Sequence, residues 1–435
     1  MPHNISQCDP SIDFVINPPR LWWEASQRRK LKYFIPDWDD LVDPEFDFEQ
    51  EMYAKGGGGW MREVFAHQLY GTPCYDGILV SREVIEKSKK KKQFMDSLVG
   101  KGGIHRYLRV PANYPVMGDC GAFGYAKEET PPYSTEDVLD YYTRLGFNFG
   151  VSIDHLVPVA PTPEQQRARY ELTIENADAF LKEHRARDLS WTPIGAVQGW
   201  DPDSYRAAAR RVVAMGYDYI ALGGLVRSQT THLLRVVEAV KEVVPSSVRI
   251  HVFGVARIEA TRQLVEFGIT SIDSASPLRK AWLDSNKNYW SLEGIAYAAL
   301  RVPNVPKHFM EEDAARAKRL EQAALHAIRS FDQGNQKASD VLEAMAAYHE
   351  TITPDRTFPR DHYKATLEGR PWQRCPCTIC QQVGVEVIIF RGNNRNRRRG
   401  FHNTYVFYEL LGRSLAGEQF KMERAVDRRQ VSLFQ

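Results

Sequence analysis

Along most of this chain, short apolar runs alternate with longer stretches whose apolar residues recur at helical spacing. The strand candidates are Tyr33–Pro36, Gly77–Val80, His105–Val110, Val116–Met117, Phe149–Ile153, Thr192–Val197, Tyr219–Leu222, Arg249–Phe253 and Ser271–Ile272. Several are almost continuously apolar, which is the pattern of parallel strands covered on both faces. Between them the spacing predicts helices over Ser134–Leu145, Pro163–Arg185, Ser204–Met215, Thr231–Val243 and Ile258–Phe267. Ser134-Thr135-Glu136-Asp137 offers a cap and acidic residues for a first turn. Repeated strand–helix units mean an α/β fold with a parallel sheet. A (β/α)8 TIM barrel takes roughly 250 residues, and the stretch from about 30 to 300 supplies them. A doubly wound open sheet would announce itself with a phosphate-binding glycine loop. Gly56–Gly59 follows no convincing strand and lacks the Lys-Ser/Thr of a nucleotide loop, so it reads as a flexible loop and the barrel is the expected fold.

Beyond residue 300 the pattern changes. Glu311–Phe331 and Ala338–Tyr348 read as helices with no strand between them, Pro354–Pro371 reads as irregular, and His402–Met422 is helical again. The expected division is an amino-terminal extension over residues 1–30, a catalytic barrel over 31–350, and a zinc-binding module with a carboxy-terminal helix over 351–435.

Composition narrows the class. The 435 residues are 43% hydrophobic and 26% charged, as in ordinary globular proteins. There is no run of about 18 apolar residues to span a membrane, and Met1–Arg20 lacks the basic start and apolar stretch of a secretory signal. Of the six cysteines, Cys8, Cys74 and Cys120 are scattered while Cys375, Cys377 and Cys380 crowd together. That spacing suits a metal site in a reducing cytoplasm better than a disulfide framework. Net charge is only +2, but Lys87 and Lys89–Lys92 form one basic run, and Arg391, Arg395, Arg397, Arg398 and Arg399 another. Either alone reads as a solvated face. Two of them, one inside a metal module, point to a polyanionic partner.

In Cys375-Pro-Cys377-Thr-Ile-Cys380 three thiols fall close together, and His402 follows 22 positions later. Three thiolates and an imidazole fill a tetrahedral zinc shell with no open position, the mark of a structural metal, and soft sulfur disfavours magnesium or calcium. His402, read as the start of a helix, is the favoured fourth ligand; His362 is the alternative nearby in sequence.

A barrel carries its chemistry where strands end on the carboxy-terminal face. Asp119 closes Val116-Met117-Gly118-Asp119, Asp154 closes Phe149–Asp154, and Asp273 closes Thr270-Ser271-Ile272-Asp273. Two further strand ends carry Gln198-Gly199 and Gly223-Gly224-Leu225. One such Asp is usually a cap or turn former. Five such ends on one face make a pocket of carboxylates, an amide and bare backbone, suited to an aromatic hydrogen-bonding ring such as a purine.

These segments, in this order, resemble the guanine transglycosylases of the queuine and archaeosine class. Gly118-Asp119-Cys120-Gly121-Ala122-Phe123 resembles that family's D-S-G-G-F-Q segment, Val197-Gln198-Gly199 its V-Q-G, and Ala221-Leu222-Gly223-Gly224-Leu225 its A-I-G-G-L. Gly254-Val255 and Asp273-Ser-Ala-Ser-Pro277-Leu-Arg279 resemble its M-G-V-G and D-x-x-x-P-T-R segments, and the cysteine triplet with His402-Asn403 its zinc site. Ala122 replaces a glycine, Gly124 a glutamine, and His155-Leu156 a small polar pair. Tyr33-Phe34-Ile35-Pro36-Asp37-Trp38-Asp39-Asp40 is unlike the tRNA enzymes and is similar to the branch that puts 7-cyano-7-deazaguanine into DNA.

The resemblance implies that Asp273 attacks C1′ of the sugar and holds it covalently, while Asp119 serves as general acid and base. Asp154, Gln198, Gly223, Gly224 and Leu225 would read the guanine-like edge, and Cys375, Cys377, Cys380 and His402 would hold structural Zn2+. Arg279, Lys280, Arg397, Arg398 and Arg399 would meet phosphates. The implied partners are duplex DNA with its target base flipped out, 7-cyano-7-deazaguanine, and helper proteins of a DNA-modification cluster. Keeping the β-configuration calls for two inversions, the logic of a retaining glycosidase. The rivals are a tRNA-modifying enzyme, a non-catalytic zinc subunit that binds nucleic acid, and an unrelated metal-dependent barrel, for which only His155 offers itself at a strand end.

Overall fold

A computed structural model describes residues 30–38, 40–54, 62–72 and 74–427. The expectations for residues 1–29, Asp39 and Gly56–Gly59 fall outside these. Eight parallel strands close into a barrel in sequence order: β1 (Lys32–Pro36), β2 (Gly77–Ser81), β3 (Val116–Asp119), β4 (Phe149–Val151), β5 (Thr192–Val197), β6 (Tyr219–Leu222), β7 (Arg249–Val252) and β8 (Ser271–Asp273). β1 closes the ring against β8, with Phe34 opposite Asp273.

The alternation within each strand sorts side chains into two cores. Phe34, Leu79, Met117, Val151, Ile194 and Tyr219 are among those that fill the barrel interior. Their neighbours, such as Tyr33, Val80, Val116 and Ile220, pack outward under the helices. The helix expected from Ser134 forms over Thr135–Leu145. Its cap is reciprocal, with Ser134 Oγ accepting from the Asp137 amide and the Asp137 carboxylate accepting from the Ser134 amide.

His105–Val110 is not a strand. Residues Gly103–Leu108 form a short helix, and the His105 ring bonds the Tyr114 carbonyl and the Asn148 side chain. A six-residue stretch with Tyr107, Leu108 and Val110 as its apolar residues fits either state, and tertiary packing decided for the helix. The segment expected to be irregular holds a helix at Arg360–Gly369. The last long helix runs Gly392–Leu415, so His402 lies in its middle rather than at its start.

That register also corrects the reading of the arginine run. Arg398 and Arg399 are buried. Arg399 reaches the Ala281, Val387 and Ile389 carbonyls, and Arg398 the Asp43 carbonyl at 2.8 Å and the Asn394 side chain. Arg397 donates to the Leu41 carbonyl at 2.7 Å, and Arg395 pairs with Glu51 and Glu386. A guanidinium carries five donors in a rigid fork and can satisfy several carbonyls at once. These arginines fasten the helix to the loop after β1 and to the segment before the helix, and Arg398 and Arg399 are too deep to meet a phosphate. The lysine run divides: Lys91 is buried against Asp37, while Lys87, Lys89 and Lys90 are exposed. No helix among the described residues is long and apolar enough to cross a membrane.

Candidate functional site

A parallel barrel brings all its strand ends to one mouth, so residues spread over 155 positions of sequence meet there. Asp119 and Asp273 are the last residues of β3 and β8. Asp154, Gln198 and Gly223 follow β4, β5 and β6. All five line one cavity of about 540 Å³, together with Gly224, Arg279 and Lys280. Leu225 is buried behind it and faces an adjoining cavity of about 290 Å³.

Asp154, Gln198 and Gly223 form one wall. Gln198 Nε2 donates to Asp154 Oδ2 at 2.6 Å, which holds the carboxylate in place. The Gln198 Oε1 atom is buried without a partner, and such an atom costs about 1–3 kcal/mol unless something arrives to meet it. Gly223 leaves the room: a Cβ there would stand 2.2 Å from Gln198 Nε2 and 3.3 Å from Asp154 Oδ2. Burial raises the Asp154 carboxyl to about 6, against the opposing pull of Gln198.

The other two acids, at the ends of β3 and β8, lie in different environments. Both recorded donors to Asp273 reach Oδ1: the Gly254 amide at 2.9 Å and the His251 ring at 3.1 Å. Asp119 Oδ1 is buried with no partner. Burial pushes its carboxyl up to about 7, with Asp154 and Asp273 adding to the rise and the Ser81 hydroxyl and Gly121 amide opposing it. A buried carboxyl raised toward neutrality is the usual arrangement for acid–base work.

The Asp119 shift has a consequence for stability. Its folded pKa lies above the unfolded one, so its contribution is fully present below about pH 4 and is lost as pH rises through about 7. Asp119→Asn removes that loss. It is expected to stabilise the protein by roughly 2–4 kcal/mol at pH 8 and by little at pH 4. Urea titrations at the two pH values check this, and equal effects at both would refute the raised carboxyl.

Sequence reasoning missed several residues at the mouth. Trp38 and Phe123 are 43% and 58% exposed, and the Arg279 guanidinium sits 4.4 Å above the Trp38 ring. Phe253 lines the floor. Exposed aromatics beside a polar cavity suit stacking on a base, but in the sequence nothing separates them from core aromatics. His251 was hidden in an apolar strand.

Away from the barrel, Cys375, Cys377, Cys380 and His402 gather with their ligand atoms within 4.8 Å of one another, all buried. His362 is not among them. The three sulfurs lie 3.5, 3.4 and 3.3 Å from His402 Nδ1. Tetrahedral bonds of about 2.3 Å to sulfur and 2.0–2.1 Å to nitrogen put the two about 3.5 Å apart, so the cluster fits such an ion. His402 Nε2 donates to the Trp290 carbonyl at 2.7 Å, which leaves Nδ1 bare for a metal. The Tyr289 ring stacks on the imidazole at 4.0 Å, and its hydroxyl lies 3.2 Å from the Cys380 sulfur.

A polar mouth of this kind on a (β/α)8 barrel has the shape and chemistry to suit a planar, hydrogen-bonding ring. The family model of queuine tRNA-ribosyltransferase matches residues 90–286, which span β3 to β8. A DNA-guanine transglycosylase of Salmonella montevideo is 36% identical over 412 residues, covering 89% of this chain and 98% of its own length. A tRNA-guanine(15) transglycosylase of Methanosarcina mazei is 25% identical over 243 residues, 53% of this chain and 48% of its own. A queuine tRNA-ribosyltransferase of Moorella thermoacetica is 24% identical over 201 residues, 41% and 53%. The chain belongs to the guanine transglycosylase family, in the branch of the DNA-guanine transglycosylases.

Proposed function

We propose that the protein replaces guanine in duplex DNA with 7-cyano-7-deazaguanine, through a sugar held covalently on Asp273. DNA is favoured over tRNA because the Salmonella relative, named as a DNA enzyme, matches nearly the whole chain, whereas the tRNA enzymes match about half of it. The single observation that carries the chemistry is the pairing of a pinned carboxylate, Asp273, with a raised one, Asp119, whose Oδ1 has no partner, in one base-sized cavity.

Asp154 accepts from the N1–H and N2–H groups of the ring, and the second Gln198 Nε2 hydrogen and the Gly224 amide donate to O6, since the Gly223 amide is already given to the Val197 carbonyl. In the first displacement Asp273 attacks C1′, the C1′–N9 bond breaks, and Asp119 gives its proton to the departing guanine. In the second, Asp119 takes the proton from N9–H of the entering base, N9 attacks C1′, and the bond to Asp273 breaks. No redox partner or energy source enters the balance. Arg279 and Lys280 at the mouth meet the phosphates flanking the flipped nucleotide, which offsets part of the few kcal/mol that unstacking costs. The Cys375, Cys377, Cys380 and His402 cluster holds Zn2+, which ties the long helix to the hairpin at Tyr289 and takes no part in the exchange.

Radiolabelled 7-cyano-7-deazaguanine, incubated with the protein and either duplex DNA or unmodified tRNA, is expected to enter DNA alone. Label in tRNA alone would move the protein to the tRNA enzymes. Label in neither would overturn the reading for the chain acting alone and turn attention to helper proteins.

A further inference from the structure

We propose that His251, which does not line the cavity, positions Asp273 so that its Oδ2 attacks and then speeds release of the sugar from that oxygen. This rests on the reading of Asp273 as the nucleophile.

His251 lies on β7 directly across from Ser271 on β8, fully buried inside the barrel. A chain of contacts runs through it. The Tyr219 hydroxyl lies 2.6 Å from Ser271 Oγ, Ser271 Oγ lies 2.8 Å from His251 Nδ1, and His251 Nε2 lies 3.1 Å from Asp273 Oδ1. A carboxylate only accepts, so Nε2 carries the proton. A neutral ring then accepts at Nδ1 from Ser271, which in turn accepts from Tyr219. Around the ring the barrel is apolar, with the Phe253 and Phe34 rings 4.7 and 6.1 Å from it. A polar chain this complete in an apolar interior holds the imidazole in one orientation and one tautomer.

The consequence lies in which oxygen is held. His251 and the Gly254 amide both donate to Oδ1, which leaves Oδ2 to attack. Once Oδ2 bonds to C1′, Oδ1 becomes an ester carbonyl and draws less on the two donors. When the C1′–Oδ2 bond breaks in the second displacement, the electron pair returns to the carboxylate and half its charge falls on Oδ1, where the donors wait. The two N–H groups therefore stabilise the departing carboxylate more than the ester, which accelerates release. The same donors stabilise the free carboxylate before attack, so they slow the first step while they hasten the second.

The test separates this from a packing role. DNA and base are mixed with enzyme, the reaction is quenched in denaturant at steady state, and covalent protein–DNA adduct is measured beside turnover. His251→Phe is expected to lower turnover about 10²-fold, the usual cost of removing one such donor, while the adduct fraction rises several-fold. His251→Gln, which keeps an N–H near the same place, restores most turnover. An adduct fraction that falls or stays constant in folded His251→Phe would overturn the proposal. If that variant does not fold, Ser271→Ala, which frees the ring from its orienting partner, must show the same rise in adduct fraction, and a constant fraction there refutes the proposal. Mapping the wild-type adduct by mass spectrometry keeps the two readings apart. An adduct on a residue other than Asp273 sinks the nucleophile assignment, whereas an adduct on Asp273 with unchanged partition sinks only the role of His251.

Discussion

Asp273→Asn is expected to fold, to bind zinc at the cysteine cluster as the wild type is proposed to, and to exchange no base. The amide is nearly isosteric, and its oxygen can still accept from the Gly254 amide and the His251 ring, so the bonds that hold the end of β8 survive. What is lost is the anionic oxygen proposed to attack C1′. Without it the exchange loses its covalent route, and a fall of at least ~10³-fold is expected, about 4 kcal/mol of transition-state stabilisation. Label incorporation measures the rate, a denaturing gel the loss of the adduct, and thermal melting the intact fold. Activity within tenfold of wild type would remove Asp273 from the proposed role and leave Asp119 or Asp154 to be tested in its place.

Removing the metal is expected to cost more in stability than any single change at the mouth. The cluster joins three pieces: the short helix Thr378–Val383, the hairpin at Tyr289–Trp290 and the long helix Gly392–Leu415. Zinc in such ligand sets contributes on the order of 10 kcal/mol when it must organise an unfolded chain. Here buried Trp372, Ile379 and Phe407 already hold part of the structure, so the share left to the metal is smaller. Cys380→Ser is expected to purify without zinc and to melt on the order of 10 °C lower. Activity should fall as well, because Gly400 on the long helix lies close against Leu278 and Trp282, in the helix that carries Arg279 and Lys280 to the mouth. Metal analysis beside calorimetry checks this. A variant with one zinc per chain and an unchanged melting temperature would exclude the cluster as a structural metal site.

Much of the mouth was legible because a parallel barrel ties position in sequence to position in space. A residue that ends a strand must stand on the carboxy-terminal face, so Asp119, Asp154, Gln198, Gly223 and Asp273 could be placed together from periodicity alone. The cysteine triplet was legible for a similar reason, since C-x-C-x-x-C puts three thiols within reach of one ion whatever surrounds them.

Direction was a different matter. Charge in a sequence carries no sign of inward or outward, and Arg398 and Arg399 turned inward because backbone carbonyls of the Asp43 loop and of Val387 and Ile389 were there to receive them. His251 looked like one polar residue in a buried strand. Its meaning came from Ser271 and Asp273, twenty and more positions away, which β8 brings alongside. The sequence by itself pointed to a parallel barrel, to the end of it that carries the acids, and to the three thiols of the cysteine cluster, because strand alternation and short ligand spacing are local properties of the chain. Only the tertiary structure decided which charges were spent on the fold, which oxygen of Asp273 is free, and which aromatics face the open cavity. Each of those depends on partners that sequence distance conceals and packing alone supplies.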